Sequence, residues 1–283
     1  MCTSKISLKK FLKLILWIYF YKIIIFAIFL IMGKVGLSAQ GVFNVLSPIT
    51  SIDKGFTSCF LIFYLTIPFL NILTHNMTKR QHQSLLLLCL CIYSVFCKIP
   101  HFQSEWNYVS WFIVNYFIAA YLRLYPETFE NFEDKWGWLS LAFISLAIII
   151  IIGSIFAAEH LNRHFAFFTM YFLNDSNAPL AIIIAICTFM WFKGLKIKNN
   201  KFINTVAASA FGVLLIHANS DAMRSWLWGD VVDCIGRYNM PFSALYAIGS
   251  VLTIYITCTV IDSLRLHAIE KPLFTWMEKK KIC

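Results

Sequence analysis

The sequence predicts an all-α polytopic membrane protein, a single bundle of about eight transmembrane helices with both termini in the cytoplasm. Three observations carry this expectation. Hydrophobic residues make up 59% of the 283-residue chain and charged residues 13%, against about 45–50% and about 25% in soluble domains. Apolar runs too long for core strands recur along its whole length. The basic residues, finally, are distributed as the positive-inside rule requires. The polar connections reach only about twenty residues, too few for a separate soluble domain of ordinary size. A net charge of +10 invites a nucleic-acid reading, but the basic residues gather at segment ends and do not interleave with aromatics in a polar domain. Nucleic acid is therefore not an expected partner; the lipid bilayer is.

Taken in order, the expected spans are Phe11–Met32, Gly55–Leu73, Ser84–Phe96, Tyr108–Leu124, Trp138–Ala158, Ala178–Phe192, Phe202–Ala218 and Ser243–Leu264. The first is too long for the apolar region of a signal peptide and is interrupted by Lys22. The third is short, and on length alone a re-entrant or interfacial segment fits it as well. The charges decide for a crossing. With eight spans, seventeen Lys and Arg residues fall on the side of the N-terminus and six on the other, with Lys22 inside the first span. Without the third span, the cluster Lys193–Lys201 would lie opposite the N-terminal lysines. The apolar segment 165–173 is too short to cross and reads as an interfacial helix. Residues 265–283 read as a basic amphipathic cytoplasmic tail, either lying in the headgroup plane with its lysines on anionic lipid or simply solvated.

The cysteines show neither zinc spacing nor a paired extracellular framework, and six of the nine sit in or beside apolar runs, where Cys acts as a small hydrophobe. Glu159, His160 and His164 fall in an outer loop, and His160 and His164, four residues apart, could share a helix face as zinc ligands. Glu159 precedes the first His instead of following it, so the metalloprotease pattern is absent and no metal is expected. A nucleophilic serine elbow is absent as well. Lys9, Lys10 and Lys13 stand at the cytosolic mouth of the first helix, suited either to fixing topology or to gripping an anionic cofactor. Lys22 is the charge expected clearly within a span, snorkelling or facing a cavity.

The second span carries Thr57, Ser58, Tyr64 and Thr66 and is interrupted by Pro68, which should kink it. Such a helix either lines a substrate cavity or satisfies its hydroxyls locally. Asn115, in mid-span, is expected to bond a neighbouring helix. His217 ends the small-residue helix that begins at Phe202, with Asn219, Asp221 and Arg224 following. A neutral imidazole there suits a general base on a sugar hydroxyl with Asp221 orienting it, or a cap on a loop carbonyl.

Several of these stretches resemble the integral-membrane acyltransferases of the acyltransferase-3 type, which O-acetylate bacterial surface glycans. NNKFINTVAASAFGVLLIHANS is similar to the family's closing pattern of basic loop, Ala/Ser-rich helix and G-V-Y-L-I-H, with Leu214 where Tyr is usual. GFTSCFLIFYLTIPFLN resembles its aromatic segment ending in S-P-F-L-N, with Phe56 for Trp and Ile67 for Ser. SLKKFLKLILWIYFY resembles the basic loop after the family's second helix, with Lys10 and Lys13 where arginines are common. SWFIVNYFIAAYLRLYP and the Ser-Asn-Ala-Pro before the sixth span fit too.

The resemblance implies transfer of an acetyl or other acyl group from acetyl-CoA (acyl-CoA) to a hydroxyl of an envelope glycan or lipid-linked sugar, in a bacterial inner membrane. It implies Lys10 and Lys13 as cofactor-binding residues, and Tyr64, His217 and Asn219 as substrate-binding ones. A homo-oligomer is compatible with it. The family has ten helices, and its presumed catalytic His and an accompanying Arg lie in the first; no residue here matches either. The expectation is thus a fold lacking its first two helices, clipped or mis-started, or else working without the usual base. His217 is the one catalytic candidate left. The rival expectation is a catalytically inactive fragment or a glycan or lipid transporter.

Overall fold

The computed structural model describes residues 8–46, 55–99, 107–161, 173 and 175–279. Among these there is no strand. The helices are α1 (Leu8–Ile31), α2 (Ala39–Leu46), α3 (Phe56–Asn76), α4 (Lys79–Leu90), α5 (Tyr108–Leu124), α6 (Trp136–His160), α7 (Pro179–Gly194), α8 (Lys201–His217), α9 (Asp221–Ser225), α10 (Ser243–Arg265) and α11 (Lys271–Lys279). Each expected span coincides with a helix. The segment 165–173, His164 and the last lysines fall outside the described residues, Leu173 excepted.

Four helical stretches are long and apolar enough to cross a membrane: Lys9–Ile31, Phe56–Asn76, Pro126–His160 and Ser243–Met277. A fifth arises if α8 and the helix after it, bent by 94°, are counted as one span. α5 and α7 are apolar but shorter. The described residues are therefore helical without strands, and several of these helices could span a membrane, as in a membrane protein.

Local chemistry sets the boundaries. Thr78 and Gln81 form a reciprocal capping box at the start of α4, and Asn107 and Ser110 form another at α5. Pro179 occupies the first turn of α7, where its missing N–H costs nothing. Asn200 accepts from the amides of Phe202 and Ile203 and so starts α8.

Contacts divide the chain into two compact units. The first comprises Ile52–Lys196, and its helices alternate in direction. Phe56 packs on Tyr108 and Phe112, and Tyr116 donates to Asn71, so α3 and α5 are parallel. α4 runs against them. Its Lys79 pairs with Glu127 just past the end of α5, and Leu90 and Tyr93 reach the core of Trp111, Val114 and Ile182. A π turn (Cys91–Val95) and a 3-10 turn (Phe96–Lys98) extend α4, so the short third segment is helical for longer than its apolar run suggests. Ile182 near the start of α7 meets the start of α5, whereas Cys187 and Met190 meet Leu122 and Trp136. α7 is thus parallel to α5 and antiparallel to α6, with Ser140 and Thr188 hydrogen-bonded at 2.7 Å between them.

Asn115 differs from expectation. Its amide donates to the Trp111 carbonyl of its own helix, 3.0 Å away, because a side chain one turn along reaches that carbonyl more easily than a neighbouring helix.

The second unit comprises Ser7–Ser51 and Ile197–Cys283. Trp17 meets Phe211 edge-on at 5.2 Å, and Phe29 meets Trp226 beyond the end of α8 at 5.6 Å, so α1 and α8 run parallel. α10 opposes both: Tyr246 near its start donates to the Val232 carbonyl, and its far end meets Lys13 and Trp17. The described part of the basic tail continues the last span as helix. A π turn (Leu266–Glu270) carries α10 without a break into α11, and Ser243–Met277 is one helix of 35 residues. At about 1.5 Å per residue it is about 52 Å long, well beyond a hydrocarbon core of about 30 Å.

His82, two residues ahead of the third apolar segment, is fully buried. It is ringed by Phe117, Tyr121 and Tyr125. Its Nε2 lies 3.0 Å from the Phe117 carbonyl, and Nδ1 has no partner among the described residues. Burial pushes the imidazole pKa below its ordinary value. Nε2–H must donate to the carbonyl, so a second proton would sit on Nδ1 with nothing to accept it. The unfolded chain holds that proton more tightly. His82 therefore contributes stability above about pH 6.5, and that contribution is lost as the pH falls below it. In melts of the detergent-solubilised chain, wild type should lose more stability between pH 7 and 5 than His82→Gln, whose amide can keep the bond to Phe117 without titrating. Parallel pH curves for the two would contradict this assignment.

Candidate functional site

The end of the second unit where α1 and α8 begin and α10 finishes holds a cluster of buried charge. Asp262, Arg265 and Glu270 are each less than a tenth exposed. Asp262 Oδ1 accepts from Tyr21 Oη at 2.8 Å, Arg265 Nε at 2.9 Å and Trp17 Nε1 at 3.1 Å. Arg265 Nη1 donates to Glu270 Oε2, and the Lys13 ammonium pairs with Glu270 Oε1. The guanidinium lies over Trp17, 4.6 Å from the ring centroid, with Tyr21 and Phe20 flanking it. Each member answers the desolvation cost of the next, as buried charges require.

The small residues of α8 make room for this cluster. A Cβ on Gly212 would stand 2.3 Å from Asp262 Cγ, so only glycine allows the carboxylate against the helix. One turn away, Ser209 donates to Thr259 across the same seam at 3.2 Å.

Beside the cluster lies a cavity of about 570 Å³ whose lining includes Lys13, Lys201, Asn204, Arg265, His267 and Lys271. Its two acidic members, Asp262 and Glu270, are committed to Arg265 and Lys13. Lys201 and Lys271 therefore leave the cavity with an excess of positive charge.

The residues singled out in the sequence are dispersed. Lys13 lines the cavity and pairs with Glu270. Lys10 is exposed one turn earlier on α1 and does not line the cavity. His217 ends α8 at the opposite end from Lys201, about 24 Å away at about 1.5 Å per residue. Its Nδ1 bonds the Val213 carbonyl at 2.7 Å, and the Asn219 amide bonds that of Leu215 at 3.0 Å, so both close the last turn of α8. Asp221 pairs with Arg224, three residues along its own short helix. Tyr64 lies on α3 in the first unit, half-buried. His160 stacks on Phe156 and bonds its carbonyl. His164 lies outside the described residues, which include no group of three or more metal-ligating side chains.

Lys22 is not the one charge within a span. Asp262 also falls inside Ser243–Leu264, where it accepts from Trp17, Tyr21 and Arg265. The signal was present in IDSLR: an acid three residues before a base, at the end of an apolar run, shares one helix face with it.

The fold and this cluster define a class, a protein whose described residues form no strand and include four or five helices able to span a membrane, with a cationic cavity at one end of its second unit. No family model matches the chain, and no curated protein or solved structure is significantly similar to it.

Removing the Asp262 carboxylate leaves a buried guanidinium half-paired and two donors without an acceptor. Asp262→Ala should cost about 3–5 kcal/mol, and Gly212→Ala about 1–3 kcal/mol through overpacking. Denaturant titration of the purified protein in mild detergent measures both. A loss below about 1 kcal/mol for Asp262→Ala would mean that the cluster does not hold the three helices together.

Proposed function

We propose that this chain is an integral-membrane O-acyltransferase of the acyltransferase-3 type. It takes an acetyl or other acyl group from a cytosolic acyl-CoA and transfers it to a hydroxyl of an envelope glycan or lipid-linked sugar at a bacterial inner membrane. The observation that carries the reading is the cationic cavity. Lys13, Lys201 and Lys271 converge on it from α1, α8 and α11, at the end of the unit where the helices carrying the family-like basic segments begin. A nucleotide-bearing thioester presents several phosphate charges, which such a cavity would complement.

The alternating directions of α3 to α7, and of α1, α8 and α10, support eight crossings with both termini in the cytoplasm. In that arrangement the cavity opens to the cytosol, where acyl-CoA is found. His217 is then about 24 Å deeper, near the far face.

In the reaction the acceptor hydroxyl attacks the thioester carbonyl. A C–O bond forms, the C–S bond breaks and the CoA thiolate leaves, while the hydroxyl proton passes to a base. For His217 to be that base, the pantetheine arm must carry the thioester carbonyl about 24 Å, from the cavity to the end of α8. With Nδ1 donating to Val213, its Nε2 carries the lone pair.

The alternative, a glycan or lipid transporter or a catalytically inactive subunit, draws on Asp262. An ionisable group inside a span is often part of a transport pathway. Here its donors are all contributed by the protein, which favours a fixed structural role.

Acetyl-CoA binding to the purified protein, measured by equilibrium dialysis, tests the proposal. Lys201→Gln combined with Lys13→Gln should weaken binding about tenfold or more, as expected for two lost charge-assisted contacts. Acetyl transfer to a purified envelope glycan should fall with it. No acetyl-CoA binding by wild type, or substrate movement without acetylation, would overturn the acyltransferase reading.

A further inference from the structure

α1 stops abruptly, and the chain turns back on it. Gly33 adopts the left-handed conformation at a φ of 67°. Its amide donates to the Leu30 carbonyl at 3.1 Å, and the Lys34 amide donates to that of Phe29 at 3.0 Å. This Schellman motif closes the last turn of α1 and reverses the chain. The Lys34 ammonium pairs with Asp230 at 2.7 Å, both exposed, so charge marks this end of the helix. Ser38 then starts α2, its Oγ accepting from the Gly41 amide at 3.0 Å as an N-cap.

Two contacts fix where α2 goes. A Cβ on Gly41 would touch the Phe26 ring at 3.6 Å, and Tyr19 Oη donates to the Leu46 carbonyl at 2.8 Å. As α2 advances from Gly41 to Leu46, its level on α1 falls from Phe26 to Tyr19, so the two helices are antiparallel. The span Lys9–Ile31 is about 34 Å long, just over a hydrocarbon core of about 30 Å. Tyr19 stands about 18 Å below Ile31, and its side chain leans deeper still, toward the start of its helix. Leu46 is therefore level with the middle of an apolar span.

The surface at that level is apolar. α2 carries no charged residue, and it exposes Val42, Phe43 and Leu46. On α1, Ile23, Ile24 and Ile28 are exposed at about the same height. Lys22, three residues past Tyr19 and four before Phe26, shares the α1 face that α2 covers.

We propose that α2 is a re-entrant helix. It enters the bilayer from the face at which α1 leaves it, lays Val42, Phe43 and Leu46 against lipid acyl chains, and shields Lys22 from them. A charge within a span is costly against lipid and is accommodated against protein, which gives α2 its role. This assignment does not rest on the acyl-CoA reading.

The test uses the full chain in phosphatidylcholine nanodiscs, where both faces of the bilayer meet water. Gly36→Cys, Phe43→Cys and Leu46→Cys are treated singly with a charged maleimide, and peptide mass spectrometry reads each new thiol apart from the native cysteines. Gly36→Cys, in the turn, should react freely, whereas the other two should react about tenfold or more slowly, as thiols held in hydrocarbon do. All three should react alike once a denaturing detergent replaces the bilayer. In wild type, a phosphatidylcholine carrying a diazirine midway along its acyl chain should label Ala39–Leu46. Equal reactivity of Leu46→Cys and Gly36→Cys in nanodiscs overturns the proposal. Slow reaction of Leu46→Cys with no lipid label on wild type overturns it too, in favour of contact with a second copy of this chain. The wild-type label decides the matter even if a cysteine variant fails to fold.

Discussion

The second unit depends on one carboxylate. Asp262 Oδ1 receives donors from Trp17 and Tyr21 on α1 and from Arg265 on its own helix, while its bulk rests on Gly212 of α8. Three helices with little amphipathic character thereby acquire a fixed register. Leu and Ile side chains pack almost as well one turn along, and lipid supplies no hydrophobic drive to choose between registers. A buried charge that must meet three donors does choose. The cluster is therefore better understood as specifying the arrangement than as adding net stability, since a buried ion pair often does little better than an apolar replacement.

The same cluster shapes the cavity beside it. By consuming both acidic groups in the neighbourhood, Arg265 and Lys13 leave Lys201 and Lys271 uncompensated. The lining thereby keeps an excess of positive charge although most of its charges are paired. The cost is that Lys13 serves two roles, as partner of Glu270 and as part of the lining. A ligand phosphate reaching Lys13 would compete with Glu270 for it, which ties occupancy of the cavity to the turn that joins α10 to α11.

Much of the fold was legible in the sequence. Tyr108–Leu124 is both the expected span and the observed helix, and the others differ by a few residues at their ends. Long apolar runs admit only helix when the surroundings offer no hydrogen bonds, so composition decides the element and caps such as Asn107 and Asn200 decide its start. In the tail, nothing between Arg265 and Lys271 breaks the backbone, so the helix of the last span continues to Lys279. The site was the least legible part. His217 stood out as a lone polar residue after an apolar helix, yet such a residue most easily caps its own last turn. Asp262 was hidden within an apolar run, and its partners Trp17 and Tyr21 lie more than 240 residues away in the chain. That pairing is set by tertiary packing and has no local signature.

Under the proposal, an acyl-CoA occupies the cavity lined by α1, α8 and α10. The most direct measurement is photocrosslinking with a CoA analogue bearing a photoreactive group on the adenine, followed by peptide mapping of the membrane-embedded protein. The account predicts labelled peptides from Asn199–Ser209 and Ser263–Lys271, with labelling suppressed by excess acetyl-CoA. Labelling confined to the first unit, or labelling that acetyl-CoA does not suppress, would contradict it.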